Sequence, residues 1–245
     1  MELEKSMIKR FSFSPAAISY LLGMMLLDSL GLYFALNGIK NINAGIIWYS
    51  VAILLLVASL STGFSIAIVY QSSALAYYIR FSKLKMYNYI LSLYIGVLIS
   101  VTIYSVIFTA LITPFIAKLA LDRFYEIIRF DNILPFIASV LISSFFILSL
   151  TYTVIATLLV KIGAKASNYA YYIFFVLLAI SDLSPSTSSS LNPFYEAEHI
   201  ISYSLIHDTI SLYSVEVALL GIVLLLLGNL ILKKIRALRL EEVVW

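Results

Sequence analysis

A chain of 245 residues that is 62% hydrophobic and only 12% charged has too little charge to cover a water-soluble surface, since soluble domains carry about 25% charged residues. The net charge of +3 comes without a dense basic stripe outside the apolar flanks, so nucleic-acid binding has no support. With no cysteine, disulfides, thiolate metal sites and cysteine nucleophiles are excluded too.

The composition points to an all-α membrane protein, one transmembrane domain over residues 1–245. At its start Leu3, Met7, Ile8 and Phe11 share one side of a helix, with Glu2, Lys5, Lys9 and Arg10 mostly elsewhere. That pattern predicts an amphipathic helix on the cytoplasmic membrane surface, the alternative being a basic leader that only sets topology. Six apolar segments follow and predict six transmembrane helices. The first runs from about Pro15 to Leu36 and the second from about Ala44 to Tyr70. The first has a basic leader but no small-residue cleavage site after it, so it reads as a retained span rather than a signal peptide. The third covers Tyr89 to Thr113, the fourth Leu134 to Val160, and the sixth Val215 to Leu232. The fifth, Tyr169 to Ile180, reaches spanning length only if it extends back to Lys165. In lipid each must be helical, because the backbone amides have no water to bond.

Between the third and fourth spans, Ile116, Leu119, Phe124, Ile127 and Ile128 recur near helical spacing among Lys118, Asp122, Arg123, Glu126 and Arg129. This predicts an interfacial helix over 114–133. The 181–214 loop between the fifth and sixth spans contains no lysine or arginine. After the turn-rich run Ser184-Pro185-Ser186-Thr187-Ser188-Ser189-Ser190 comes Asn192-Pro193-Phe194. Asparagine suits an N-cap and proline the first helical position. Glu196 and Glu198 then favour the positive end of the helix dipole. Phe194, Ala197, Ile201 and Leu205 continue at helical spacing, so the loop is predicted to carry a short amphipathic helix in the outer leaflet. Placing both termini in the cytoplasm puts twelve of the sixteen lysines and arginines inside, as the positive-inside rule requires.

Few residues carry chemistry. Asp28 lies near the middle of the first span, where a carboxylate costs roughly 2.5–3.5 kcal/mol on insertion. It shares a face with Met24, Gly31 and Ala35. It is either an interhelical hydrogen-bond partner or a polar point on a substrate path or proton route. Ser92, Gly96 and Ser100 form a small-residue stripe in the third span, and Ser139, Ser143, Thr153 and Thr157 a hydroxyl stripe in the fourth. Both read as packing faces, with the hydroxyls bonding back to their own backbone. Tyr169, Tyr171 and Tyr172 read as an interfacial aromatic anchor. The sequence holds no phosphate loop, no H-E-x-x-H and no G-x-S-x-G elbow. His199 and His207, eight residues apart, match no standard zinc spacing. No enzyme is expected of this chain.

The layout of an amphipathic N-terminal helix, six spans and a long last outer loop resembles the type-2 ABC exporter permeases. Ser73-Ala74-Leu75-Ala76-Tyr77-Tyr78-Ile79-Arg80-Phe81-Ser82-Lys83-Leu84 is similar to that family's cytoplasmic coupling segment, and Asn192-Pro193-Phe194 after its serine-rich turn to the outer-loop signature. Gln71, Ser72 and Ser73 stand where the family often has glutamate and glycine, and Phe81 or Ser82 where it has proline. The resemblance implies that Tyr77, Tyr78, Arg80, Phe81, Lys83 and Lys85 dock a separate ABC ATPase. It also implies a second permease, identical or different, that completes the path among membrane lipids. ATP and magnesium then belong to the ATPase, and no cofactor or metal to this chain. Arg80, Lys83 and Lys85 serve equally well as topology signals. The alternative is a stand-alone ion-coupled secondary transporter, although Asp28 is nearly alone as an intramembrane ionisable group. An intramembrane enzyme lacks its nucleophile, and a non-transporting assembly subunit completes the set.

Overall fold

The computed structural model describes residues 15, 18, 19, 22, 23, 26, 30, 50–58, 60, 61, 63–65, 68, 69, 86–120, 133–166, 169, 172 and 193–235. Every regular element among them is helical. We label the four continuous helices α1 (Met86–Ala120), α2 (Ile133–Ile162), α3 (Pro193–His207) and α4 (Tyr213–Ile235). An apolar helical stretch, Ser50–Ser65, precedes them. Among the described residues three helices are long and apolar enough to cross a membrane, over Asn88–Ile107, Ile133–Ile162 and Tyr213–Leu232. By length and composition they mark the chain as a membrane protein. The predicted N-terminal surface helix lies outside the described residues, as does most of the first and fifth spans.

The described residues of the Ser50–Ser65 stretch are buried on nearly every side, from Val51 and Ile53 to Leu60 and Phe64. A helix apolar all round belongs at the centre of a bundle. Its serines avoid the cost of a lone hydroxyl by bonding back one turn, Ser61 Oγ to the Val57 carbonyl at 2.8 Å and Ser65 Oγ to that of Ser61 at 2.9 Å. Phe64 meets α1 and α2 edge-on, 5.0 Å from the Tyr94 ring and 6.4 Å from that of Tyr152. Tyr94 and Tyr152 are themselves edge to face at 5.9 Å.

α1 and α2 run antiparallel, and chain reach decides it. The Tyr94 hydroxyl donates to the Leu148 carbonyl at 3.3 Å, which levels the two helices. Were they parallel, Ala120 and Ile133 would stand about 60 Å apart at 1.5 Å per residue. The connection between them spans at most about 45 Å. α1 also departs from expectation. It continues as one helix through Pro114 to Ala120, where the sequence predicts a break and a separate interfacial helix. Proline removes one backbone bond, a loss that membrane helices absorb through neighbouring helices and local adjustment.

α2 and α4 run parallel in intimate contact. Ser214, Val217, Gly221, Gly228 and Leu232 form the buried seam of α4, at the alternating three- and four-residue spacing of knobs-into-holes packing. A Cβ on Gly221 would stand 2.8 Å from the Phe145 ring, and one on Gly228 2.6 Å from that of Tyr152. Glycine is therefore what allows this approach. Thr153 Oγ1 lies 2.7 Å from the Leu224 carbonyl and the Tyr152 hydroxyl donates to Asn229 Oδ1 at 2.9 Å, both across the seam. The rest of α4 is bare: Leu219, Leu220, Val223, Leu226, Leu227 and Leu230 are exposed. At the far end of α2, Gly163 at φ 60° turns the chain out of the helix, a left-handed C-terminal stop that suits glycine.

Candidate functional site

The acidic and histidine side chains among the described residues, Glu196, Glu198, His199, His207, Asp208 and Glu216, all lie on α3 and its hairpin with α4. Pro193 opens α3, and the buried Phe194 packs edge to face on Phe146 of α2 at 5.8 Å. One turn on, the Ser143 hydroxyl donates to the Ala197 carbonyl at 3.0 Å. These two contacts run in opposite senses along the two helices, so α3 is antiparallel to α2 with its start level with the middle of α2. Gly221 of α4 meets α2 at the same level, at Phe145 and Phe146. With a hydrocarbon layer of about 30 Å drawn around Tyr213–Leu232, the Pro193 end comes level with its centre. α3 then rises about 20 Å toward the Tyr213 end. Irregular backbone at that depth requires protein around it, and Phe194, Ala197 and Glu198 are all buried.

The chain turns back at Asp208, which takes φ 55° and donates its N–H to the Ser204 carbonyl at 3.2 Å. Aspartate tolerates this left-handed conformation better than most residues. Ser211 then starts α4: its carbonyl accepts the Ser214 N–H at 3.0 Å.

Tyr195, His199, Tyr203 and His207 recur every four residues and form a ladder of rings on one face of α3. His199 stacks on Tyr203 at 5.9 Å and meets Tyr213 of α4 edge-on at 5.5 Å. Tyr203 and His207 lie 4.4 Å apart. The His199 Nδ1, turned away from water, finds no hydrogen-bond partner among the described residues. Glu196 and Glu216 lie on the same side of the hairpin.

Glu198 is only 4% exposed. Its carboxyl is therefore held out of water, at a depth where a carboxylate is costly unless paired or protonated.

Of the residues singled out in the sequence, Asp28, Tyr77, Tyr78, Arg80, Phe81, Lys83, Lys85 and Asn192 lie outside the described residues. Pro193 and Phe194 stand at the start of α3. Tyr169 and Tyr172 are exposed, their rings 6.3 Å apart. The hydroxyl stripe of α2 divides. Ser143 serves α3 and Thr153 serves α4, because the ten residues between them turn the helix by about 80° from register. Among the described residues no group of acidic and histidine side chains is placed to hold a metal ion. Two features escaped the sequence reading: the four-residue Tyr/His period, legible in the spacing, and the burial of Glu198, which has no local signal.

The chain matches no protein-family model, no curated protein and no solved structure.

Proposed function

We propose that this chain is the membrane-spanning subunit of an ATP-driven exporter in the cell membrane. It crosses six times with both termini in the cytoplasm, forms the translocation path with a second permease, and is powered by separate ABC ATPase subunits that hold ATP and magnesium. The observation that carries this is α3, a half-length helix opening at Pro193 beside the middle of α2 and leading directly into the last apolar helix. The same segment carries the resemblance in the sequence. The basic and aromatic segment at Tyr77, Tyr78, Arg80, Phe81, Lys83 and Lys85 supplies the second support.

In this mechanism the ATPases close on ATP and push the coupling segments, and the helices must pass on that motion without bending. The glycine seam and its two interhelical hydrogen bonds join α2 and α4 as one body, with α3 pinned to α2 by Ser143 and Phe146. The partner permeases then part along a path lined by other faces.

A pull-down of the tagged chain from its native membranes in gentle detergent tests the assignment. An ABC ATPase recovered in equal amount is the expected result. Its absence, from membranes that preserve other ABC complexes, counts against the assignment. Reversing the charges of Arg80, Lys83 and Lys85 should uncouple ATP turnover while leaving the permease assembled.

Glu198 favours a second reading, the ion-coupled secondary transporter. A carboxyl buried at membrane depth is what proton coupling needs. Proton-driven uptake into liposomes by the purified chain, lost in Glu198→Gln, would select it over the exporter.

A further inference from the structure

The face of α3 that carries Tyr195, His199, Tyr203 and His207 points away from α2, because Phe194, Ala197, Ile201 and Leu205 fill the opposite side and are buried. Consecutive rings of the ladder lie 6.2, 5.9 and 4.4 Å apart. They form a continuous wall about 18 Å long through one half of the bilayer. Tyr195, His199 and Tyr203 are half-buried and His207 is exposed. Rings that only anchor a helix sit together at the membrane interface, whereas this row runs along the membrane normal.

Two carboxylates join the wall. Glu196 precedes Tyr203 by seven residues and so lies on the same row of α3. Glu216 comes from α4, which runs antiparallel to α3. His199 meets Tyr213 across the hairpin, and Glu196 and Glu216 each lie three residues farther from the turn. That brings the two carboxylates level, close enough to repel one another. Nothing on their own elements relieves them, since residues 166–232 contain no lysine or arginine. Membrane topology explains the missing lysines, but not two acids set against a row of rings at membrane depth.

Ring faces and carboxylates both attract positive charge, and aromatic cages use the first to hold quaternary ammonium ions. Rings alone would read as packing, and two acids alone as a solvated end. Together they are complementary to one kind of molecule. We propose that this face of the hairpin binds an amphipathic organic cation, its charge between Glu196 and Glu216 beside Tyr213 and its apolar body along the ring wall. A zwitterionic lipid head group fits less well, because its phosphate would stand beside the same carboxylates. Binding depends on the hairpin and not on the exporter assignment.

Radiolabelled tetraphenylphosphonium, added to the purified full-length chain in dodecyl maltoside at pH 8, above the ordinary histidine range, tests the site. One phosphonium per chain should bind saturably, and tetraphenylborate, an anion with the same four phenyl rings, at least tenfold more weakly. Glu196→Gln with Glu216→Gln should weaken the phosphonium at least tenfold. Tyr213→Leu should weaken it about threefold, the worth of one cation–π contact, and Tyr213→Phe should not, since the ring remains. Glu216 is exposed, so Glu216→Gln alone, expected to cost about threefold, decides the matter if the double variant loses helix content. Equal binding of the two ions, or phosphonium binding indifferent to both glutamates, overturns the proposal. So does displacement of the phosphonium by phosphatidylcholine, which would give the face to a lipid. Saturable binding seen only in Arg123→Gln with Arg129→Gln overturns it too, since the carboxylates would then belong to those arginines.

Discussion

The Tyr152 hydroxyl reaches Asn229 across the α2–α4 seam at 2.9 Å, from a ring with no exposed surface. Such interhelical bonds in membranes contribute about 0.6 kcal/mol on average and up to about 1.7. Tyr152→Phe should lower stability by about 1 kcal/mol in reversible unfolding from mixed micelles, whereas Tyr169→Phe at an exposed position should leave it unchanged.

At the scale of elements, the seam depends on two missing side chains. A Cβ at Gly228 would stand 2.6 and 2.7 Å from a Tyr152 ring that has no room to retreat, and one at Gly221 would also come 3.3 Å from the Phe146 backbone. Overpacking of this kind costs about 1–3 kcal/mol. Gly228→Leu should loosen α4 from α2, seen as faster proteolysis of the hairpin, while Leu226→Ala on the bare face should not. The start of α3 at Pro193 is readable because its determinants are local: a capping residue, a proline and acidic residues at the dipole's positive end. The continuation of α1 through Pro114 is not readable. A proline's local cost argues for a break, and the compensation comes from neighbours that the sequence does not name.

For the whole molecule, parallel α2 and α4 require the α3–α4 turn and the end of α2 to lie on opposite sides of the membrane. The chain has no cysteine, so single introduced cysteines report without background. Leu212, 88% exposed at the turn, changed to Cys should react with a membrane-impermeant maleimide in intact cells. Lys165→Cys should react only after permeabilisation. Labelling of both from one side would contradict the parallel arrangement.

Membrane character, helical class and the places where long helices fall are determined by the sequence alone, because lipid forces every apolar stretch of about 20 residues to satisfy its own backbone. The helix at Pro193 belongs with them, since its signals lie within one turn. Tertiary structure alone decided which helices meet and at what depth. The glycine seam, the split of the hydroxyl stripe between α3 and α4 and the burial of Glu198 all arise from residues distant in sequence. In a chain this apolar, hydropathy is nearly the same on the faces that touch protein and on those that touch lipid. Close packing and a few interhelical hydrogen bonds, rather than hydrophobic pattern, therefore select the partners.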